Sequence, residues 1–273
     1  MFKLLKGRNL INFLGIPLWI FLILKGDLFY AAFILVASIL GLGEFYNITI
    51  KKGAKPLRWV GMVTTVFIID YFYVQPDLRA EQYIGFLIFL VLMTLTWELF
   101  SKNQGSTFNI LATLGGILIV PLQLGTAVYI RQFDSLMDTN LTLILVISIW
   151  GCDSAAFIFG SLFGKRKIFP RVSPNKSWVG SLSGLIISIL IFQLSYSKGW
   201  LGEIFTLNDA IIFGLISGFF GQLGDFSESL FKRDVNIKDS GKILQGHGGI
   251  LDRFDSLLFA SPFTYLYILF FIK

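Results

Sequence analysis

The apolar residues of this chain are gathered into long runs, and these runs restrict the possible folds more than any other feature. A helix needs about 20 apolar residues to cross about 30 Å of hydrocarbon. With 55% hydrophobic and 15% charged residues, a soluble globule of 273 residues would have too little polar surface. We therefore predict an all-α, polytopic membrane bundle of about nine transmembrane helices, near residues 9–25, 28–47, 57–74, 83–100, 107–130, 141–163, 178–197, 207–231 and 250–272.

The start of the chain has two of the three parts of a secretory signal. Lys3, Lys6 and Arg8 precede the first apolar run, but no convincing small-x-small cleavage site follows it. We expect a retained membrane helix. Cys152 is the single cysteine, which excludes an intramolecular disulfide and a cysteine cluster for zinc.

The basic residues predict an orientation, because Lys and Arg near span ends are retained on the cytoplasmic side. With nine spans and an inner N-terminus, only Lys25, Arg79, Arg131, Lys198 and Lys273 fall outside. We predict a cytoplasmic N-terminus, an outer C-terminus and an active side that faces the cytoplasm. No long polar linker divides the chain, so we predict one transmembrane domain, 1–273, with scaffold helices in 1–140 and catalytic helices and loops in 141–273.

One polar segment, residues 229–255, differs from the rest of the chain. It holds residues of both charge signs: Lys232, Arg233, Asp234, Lys238, Asp239, Lys242, His247, Asp252, Arg253 and Asp255. Packing explains such a density of charge poorly. The segment is typical of a reaction site for a charged substrate.

Three carboxylates in this region suggest a metal site. Asp252 and Asp255 are three residues apart, so a helix presents both on one face, one turn apart. Asp225, near the end of the preceding span, can approach them from the neighbouring helix. Carboxylates without a cysteine cluster favour a hard cation, namely magnesium holding phosphate oxygens. The alternative is a structural network in which Arg233 and Arg253 neutralise the acids.

A glycine-rich turn, residues 246–249, comes just before the last helix. Backbone amides at a helix N-terminus favour anions, and glycine lets a ligand approach them. His247 is the only histidine of the chain. It has either a structural or a substrate-facing role, the latter including general-base catalysis.

A second turn contains Ser173 and Pro174, which fit the N-cap and first position of a new helix with Lys176 beside them. This turn is either another amide-lined anion site or simply a well-capped helix. Gly160 to Lys165 is not a phosphate-binding loop, because that motif needs another spacing, a hydroxyl after the lysine and a preceding strand.

Acidic residues also occur near the ends of earlier apolar runs. A charge at mid-bilayer costs about 2.5–3.5 kcal/mol on insertion scales. Glu44, Asp70 and Glu98 therefore each have a solvated or paired structural role, or a functional one, and the sequence leaves these alternatives open.

The two polar blocks together resemble a known family, the phosphatidate cytidylyltransferases (CDP-diacylglycerol synthases). The C-terminal block is similar to the family signature at Ser229, Lys232, Arg233, Lys238, Asp239, Gly241, His247, Gly248, Gly249, Asp252, Arg253 and Asp255. The upstream block is similar at Asp153, Gly160, Gly164, Ser173, Pro174, Lys176 and Gly180. This chain departs from the family at Gln245, where a proline or another small turn residue is usual.

The resemblance implies a membrane-bound nucleotidyltransferase that moves the cytidylyl group of CTP to phosphatidate and releases pyrophosphate, with Mg²⁺ required. It implies plasma-membrane location, metal binding by Asp225, Asp252 and Asp255, and catalytic roles for Lys232 and His247. Substrate binding falls to Asp153, Ser173, Lys176, Ser229, Arg233, Lys238, Asp239, Gly248, Gly249 and Arg253. The partners expected are CTP, phosphatidate and the bilayer, without nucleic acid. A second cation and a homodimer are left open.

Other protein classes remain to be distinguished. A secondary transporter of an anionic substrate also places acids in a helical bundle. A CTP-dependent lipid or polyprenol kinase would transfer the γ-phosphate instead. A CDP-alcohol phosphotransferase is disfavoured, because its Asp-Gly-x-x-Ala-Arg motif is absent and this chain carries DxxD rather than DxxxD.

Overall fold

The chain folds as a bundle of α-helices in the computed structural model, which describes residues 15–74, 80–241 and 248–272. The helices are α1 Gly15–Lys25, α2 Asp27–Lys51, α3 Arg58–Tyr73, α4 Ala80–Phe100, α5 Ser106–Ile119, α6 Pro121–Met137, α7 Leu141–Phe163, α8 Trp178–Ser197, α9 Leu207–Leu215, α10 Gly221–Asp234 and α11 Leu251–Tyr267. Two π-helical segments, Ile216–Phe220 and Ile268–Ile272, join α9 to α10 and extend α11. The described residues form no strand, only an isolated bridge between Lys167 and Ser177. The all-α prediction is confirmed.

Some residues that the sequence singles out lie outside the described ranges. They are Lys3, Lys6, Arg8, Arg79, Lys242, Gln245, Gly246, His247 and Lys273.

Seven segments of the described chain are long and apolar enough to cross a membrane, so this is a multi-pass membrane protein. They are Asp27–Lys51, Glu81–Phe100, Ser106–Met137, Leu141–Phe163, Trp178–Ser197, Leu207–Asp234 and Leu251–Ile272. The first and third predicted spans correspond to α1 and α3, and α3 has only 16 residues. Both described helices are shorter than the length of about 20 residues that a span requires. The count of nine and the orientation stay predictions.

The fifth predicted run is divided into two helices at Pro121. Proline has no N–H to donate, so it cannot continue α5, but it suits the first position of a new helix. Accordingly α5 ends at Ile119 and α6 begins at Pro121. The run is apolar throughout, which explains why the hydropathy pattern alone does not show the division.

Small residues bring α7 and α8 close together. A Cβ at Gly180 would lie 2.6 Å from the carbonyl oxygen of Ala156, and one at Gly184 would lie 2.8 Å from the sulfur of Cys152. Gly160 faces Gly180 across the same contact. The glycines of the upstream block therefore serve helix packing, which small residues favour inside membranes.

A similar contact joins α10 to α11. A Cβ at Gly224 would overlap the carbonyl oxygen of Asp255, so the two helices touch directly where the acidic residues lie. Phe45 of α2 packs edge-on against Phe231 of α10, with ring centroids 5.6 Å apart. These contacts bring α2, α10 and α11 together around the polar segment.

The prediction that Ser173 caps a helix is wrong. Helix α8 begins at Trp178, and its N-cap is Ser177, whose side chain accepts a hydrogen bond from the Gly180 amide at 3.3 Å. Residues before the helix are held by backbone pairing, with the Trp178 amide bonded to the Arg166 carbonyl at 3.1 Å. This pairing keeps Ser177 extended, so the helix starts there rather than at Pro174.

Candidate active site

Three aspartates from three helices meet around one lysine. Asp153 of α7, Asp225 of α10 and Asp255 of α11 interact electrostatically with one another and with Lys176. Lys176 forms an ion pair with Asp225, and its Nζ lies 4.4 Å from the centroid of the Phe226 ring. The approach of Asp225 to Asp255 that the sequence predicts is confirmed, and the Gly224 contact is its structural cause.

A second charged group lies at the start of α11. Lys232 forms ion pairs with Glu228, one turn earlier on α10, and with Asp252 at 2.6 Å. Both Glu228 and Lys232 are buried. Buried charges need paired partners of this kind. The neutralising residues described here include lysines, which the structural alternative considered from the sequence did not name.

Asp252 and Asp255 lie one turn apart on α11, as predicted. Besides Lys232, Asp252 accepts hydrogen bonds from the Ser240 amide at 2.9 Å, the Ser240 hydroxyl at 3.0 Å and the Gly249 amide at 2.6 Å. Asp255 accepts from the Ser256 amide through Oδ1. Among the contacts of the described residues, Asp252 accepts from more protein donors than Asp255 does.

The amides at the start of α11 already have acceptors within the protein. Glu44 accepts hydrogen bonds from the amides of Ile250 at 3.0 Å and Leu251 at 2.9 Å, and Asp252 accepts from that of Gly249. The sequence suggested that a substrate anion would take this position. In the structure carboxylates of the chain occupy it, and substrate binding by Gly248 and Gly249 stays a prediction.

Glu228 and Ser240 are site residues that sequence reasoning did not assign, and so is Glu44. Glu44 is 2% exposed and also accepts a hydrogen bond from the Ser240 hydroxyl at 2.8 Å. The only sequence signal was a carboxylate within an apolar run. The other two residues of that kind are paired elsewhere: Asp70 with the Tyr83 hydroxyl and Glu98 with the Asn109 amide.

Arg233 connects the two polar blocks of the sequence. Its Nε donates to the Val172 carbonyl at 3.2 Å, and its Nη1 donates to the Ile237 carbonyl at 2.9 Å. Val172 precedes Ser173, which is half-buried, and Ile237 precedes Lys238 and Asp239, which are exposed. Ser229 is buried on α10, with its Oγ 3.5 Å from Asp225.

An apolar cavity opens beside the acidic residues. Its volume is about 480 Å³, and aromatic walls are formed by Trp19, Phe33, Trp150 and Phe254. Asp153, Asp252, Arg253 and Asp255 form its polar part. Such a cavity suits a molecule with an apolar body and a charged end.

Carboxylates are the type of ligand that a hard cation prefers, and two of those in the site interact with each other. Magnesium is commonly held by one or two carboxylates together with substrate phosphates. Asp225 and Asp255 supply such a pair. Within the described ranges no three His, Cys, Asp or Glu residues are placed to hold a metal ion together. The pair therefore fits a cation that the substrate helps to bind, rather than one enclosed by protein alone.

The comparisons identify the class to which this helical bundle and its charged site belong. The profile of the Cytidylyltransferase family matches residues 6–271. The chain belongs to this family.

Similar proteins carry a more specific name. The phosphatidate cytidylyltransferase of Bacillus subtilis (strain 168) is 34% identical over 270 residues, which cover 96% of each chain. That of Staphylococcus aureus (strain COL) is 31% identical over 261 residues, or 94% of this chain and 96% of the relative. That of Staphylococcus epidermidis (strain ATCC 12228) is 32% identical over 268 residues, with the same coverage.

Proposed function

We propose that this protein transfers the cytidylyl group of CTP to phosphatidate, giving CDP-diacylglycerol and pyrophosphate. The observation that carries the proposal is the set of lysine-paired aspartates on α10 and α11, of which Asp252 lies at the polar end of an apolar cavity inside a membrane bundle. Membership of the cytidylyltransferase family supports it. So do the names of the similar bacterial proteins.

The reaction needs charge neutralisation more than covalent catalysis. A phosphate oxygen of phosphatidate attacks the α-phosphorus of CTP, a new P–O bond forms, and the bond to the β-phosphate breaks to release pyrophosphate. The substrate phosphate is already a nucleophile, so no covalent enzyme intermediate is needed. Positioning and electrostatic stabilisation dominate such transfers.

Lys176 and Lys232 are the cations best placed for this work. Lys232 is paired with Asp252, which lines the cavity, and Lys176 is paired with Asp225 of α10, so a phosphate that enters would find ammonium groups already oriented. Asp225 and Asp255 would hold Mg²⁺ together with phosphate oxygens, and the ion would neutralise charge that develops on them. Asp252 would complete this set only by exchanging some of its present protein contacts.

The remaining site residues keep the roles that the family resemblance implies. Arg233 bonds to both polar loops and so orients them with respect to each other. Lys238 and Asp239 are exposed on the surface, where CTP would contact them. Arg253 and Asp153 line the cavity beside the proposed lipid phosphate. His247, Gly248, Gly249, Ser173 and Ser229 complete the proposed substrate contacts. We place this side of the bundle in the cytoplasm, where CTP is found, and the protein in the plasma membrane.

The test uses purified full-length protein in detergent, phosphatidate, Mg²⁺ and CTP labelled at the α-phosphate. We expect label in the lipid fraction and an equal amount of pyrophosphate, both dependent on phosphatidate. Label that stays in free CDP, with γ-phosphate in the lipid, would identify a CTP-dependent kinase instead. Uptake of an anion by proteoliposomes without pyrophosphate release would identify a transporter.

A further inference from the structure

Glu44 makes contacts that a capping or packing residue of α2 would not need. Its carboxylate is buried within the helix, about two turns before the end at Lys51. Three donors that it accepts from, among the described residues, belong to one distant segment: the Ser240 hydroxyl, the Ile250 amide and the Leu251 amide. A buried carboxylate must be satisfied in this way. Glu44 therefore fixes the entry to α11 from a helix about 200 residues earlier.

The same segment holds Asp252. The Ser240 hydroxyl lies 2.8 Å from Glu44 Oε2 and 3.0 Å from Asp252 Oδ2. A serine hydroxyl has one hydrogen, so the two carboxylates share a single donor. The amides divide between them, with Gly249 bonded to Asp252 and the next two residues bonded to Glu44. The position of Asp252 is thus coupled to that of Glu44.

The glycines of the segment leave the space that the Glu44 carboxylate occupies. A Cβ at Gly241 would overlap Oε1 of Glu44, and a Cβ at Gly249 would overlap Oε2 and the Ser240 hydroxyl. Gly248 has φ +79° and lies against Asp252. Glycine is required at such close approaches. The turn therefore admits two carboxylates of the protein, one on each side of Ser240.

We infer that Glu44 is a positioning residue: through Ser240 and the first turn of α11, it holds the Asp252 carboxylate towards Lys232 and the acidic site. The effect of this arrangement on turnover rests on the cytidylyl transfer proposed above. The contacts of Glu44 themselves do not depend on that proposal. Glu44 touches neither substrate in this scheme and acts only through the residues that it binds.

The variant Glu44→Gln tests the inference with little change in volume. An amide keeps one acceptor but turns an NH2 group towards backbone donors, so the contacts to Ser240 and the α11 amides are not all retained. We expect kcat to fall and the half-saturating Mg²⁺ concentration to rise, each by about 10- to 100-fold, as is typical when a residue that orients a metal ligand is lost. Ser240→Ala should weaken the same functions, and the double variant should lose less than the product of the two effects.

Asp134 offers a matched control. It is 4% exposed and accepts hydrogen bonds from Thr139 and from the amides of Leu141 and Thr142 at the start of α7, both at 2.8 Å. Asp134→Asn therefore removes a charge from the same kind of buried helix cap, away from the acidic site. We expect it to lower the thermal unfolding midpoint about as much as Glu44→Gln, while kcat and Mg²⁺ dependence stay unchanged.

Hydrogen exchange of the full-length protein gives a readout that is independent of turnover. Faster exchange of the amides at 249–252 in Glu44→Gln, but not in Asp134→Asn, supports the inference. Unchanged exchange there, or an Asp134→Asn variant that alters Mg²⁺ dependence equally, overturns it. If the wild-type protein forms no CDP-diacylglycerol, the proposed function fails, and hydrogen exchange alone decides whether Glu44 holds the turn.

Discussion

The role of each carboxylate within an apolar run of this protein follows from the groups that it contacts. Its position along the run does not show that role. Asp70 and Glu98 are each paired within the N-terminal helices, whereas Glu44 reaches the polar segment. The sequence could predict that Asp252 and Asp255 share a helix face, because that follows from a spacing of three residues. It could not predict the role of Glu44, because its donors lie about 200 residues away and follow no local pattern.

The variant Asp252→Asn should lower turnover by at least about 100-fold, because it removes the carboxylate that orients Lys232, a cation placed to stabilise transition-state charge. The amide has nearly the same volume, so the protein should remain folded and monodisperse in detergent. Initial rates at several Mg²⁺ concentrations measure the effect. Asp70→Asn is the control and should leave turnover unchanged. An Asp252→Asn variant with wild-type rates and Mg²⁺ dependence would contradict the assignment.

Helices α10 and α11 form the element on which the site depends. The hydropathy pattern predicted both, and it predicted α7 and α8 to the residue, because apolar length determines where a span can lie. It missed the division at Pro121, where a single missing N–H decides the boundary. The helix cap predicted at Ser173 from the serine-proline pair was also wrong, because a short backbone bridge holds the chain extended as far as Ser177. The close approach of α10 to α11 depends on the absence of a side chain at Gly224. The sequence could not predict this contact, because it does not show which helix packs against that residue.

Replacing Gly224 by alanine should therefore push α10 away from α11. The added methyl group would overlap the carbonyl oxygen of Asp255, and overpacking of this kind costs about 1–3 kcal/mol. We expect a lower thermal unfolding midpoint in detergent and reduced cytidylyl transfer. Gly115→Ala in α5 is the control, since its methyl group would meet no atom within 4 Å in the described part of the chain. Equal unfolding midpoints for the two variants would refute this reading of the contact.

The N-terminal and C-terminal parts of the chain contact each other at the acidic site. Residues 141–273, predicted to be the catalytic part, provide the aspartates and lysines, but Glu44 comes from the part predicted to be scaffold. The loops after α7 and α10 also share one side of the membrane if α8 and Leu207–Asp234 both span it. That conclusion does not depend on whether α1 and α3 cross the bilayer. The sequence predicted one active side on a different ground, the basic residues of the two loops.

Cysteine labelling in intact cells tests which side this is. The lone cysteine, Cys152, is buried and is first replaced by serine. A cysteine introduced at Lys165 should resist a membrane-impermeant maleimide until the cells are lysed, whereas one introduced at Lys198 should react at once. The reverse pattern would place the acidic site outside the cell.

The long reach of Glu44 also has a consequence for how the protein is made. Ribosomes deliver α2 to the membrane early, while Ser240 and the α11 amides emerge last. Until they arrive, α2 carries a carboxylate without the donors that satisfy it in the finished bundle. A nascent chain that stalls before α11 thus leaves the Glu44 carboxylate without these donors inside the apolar α2 segment.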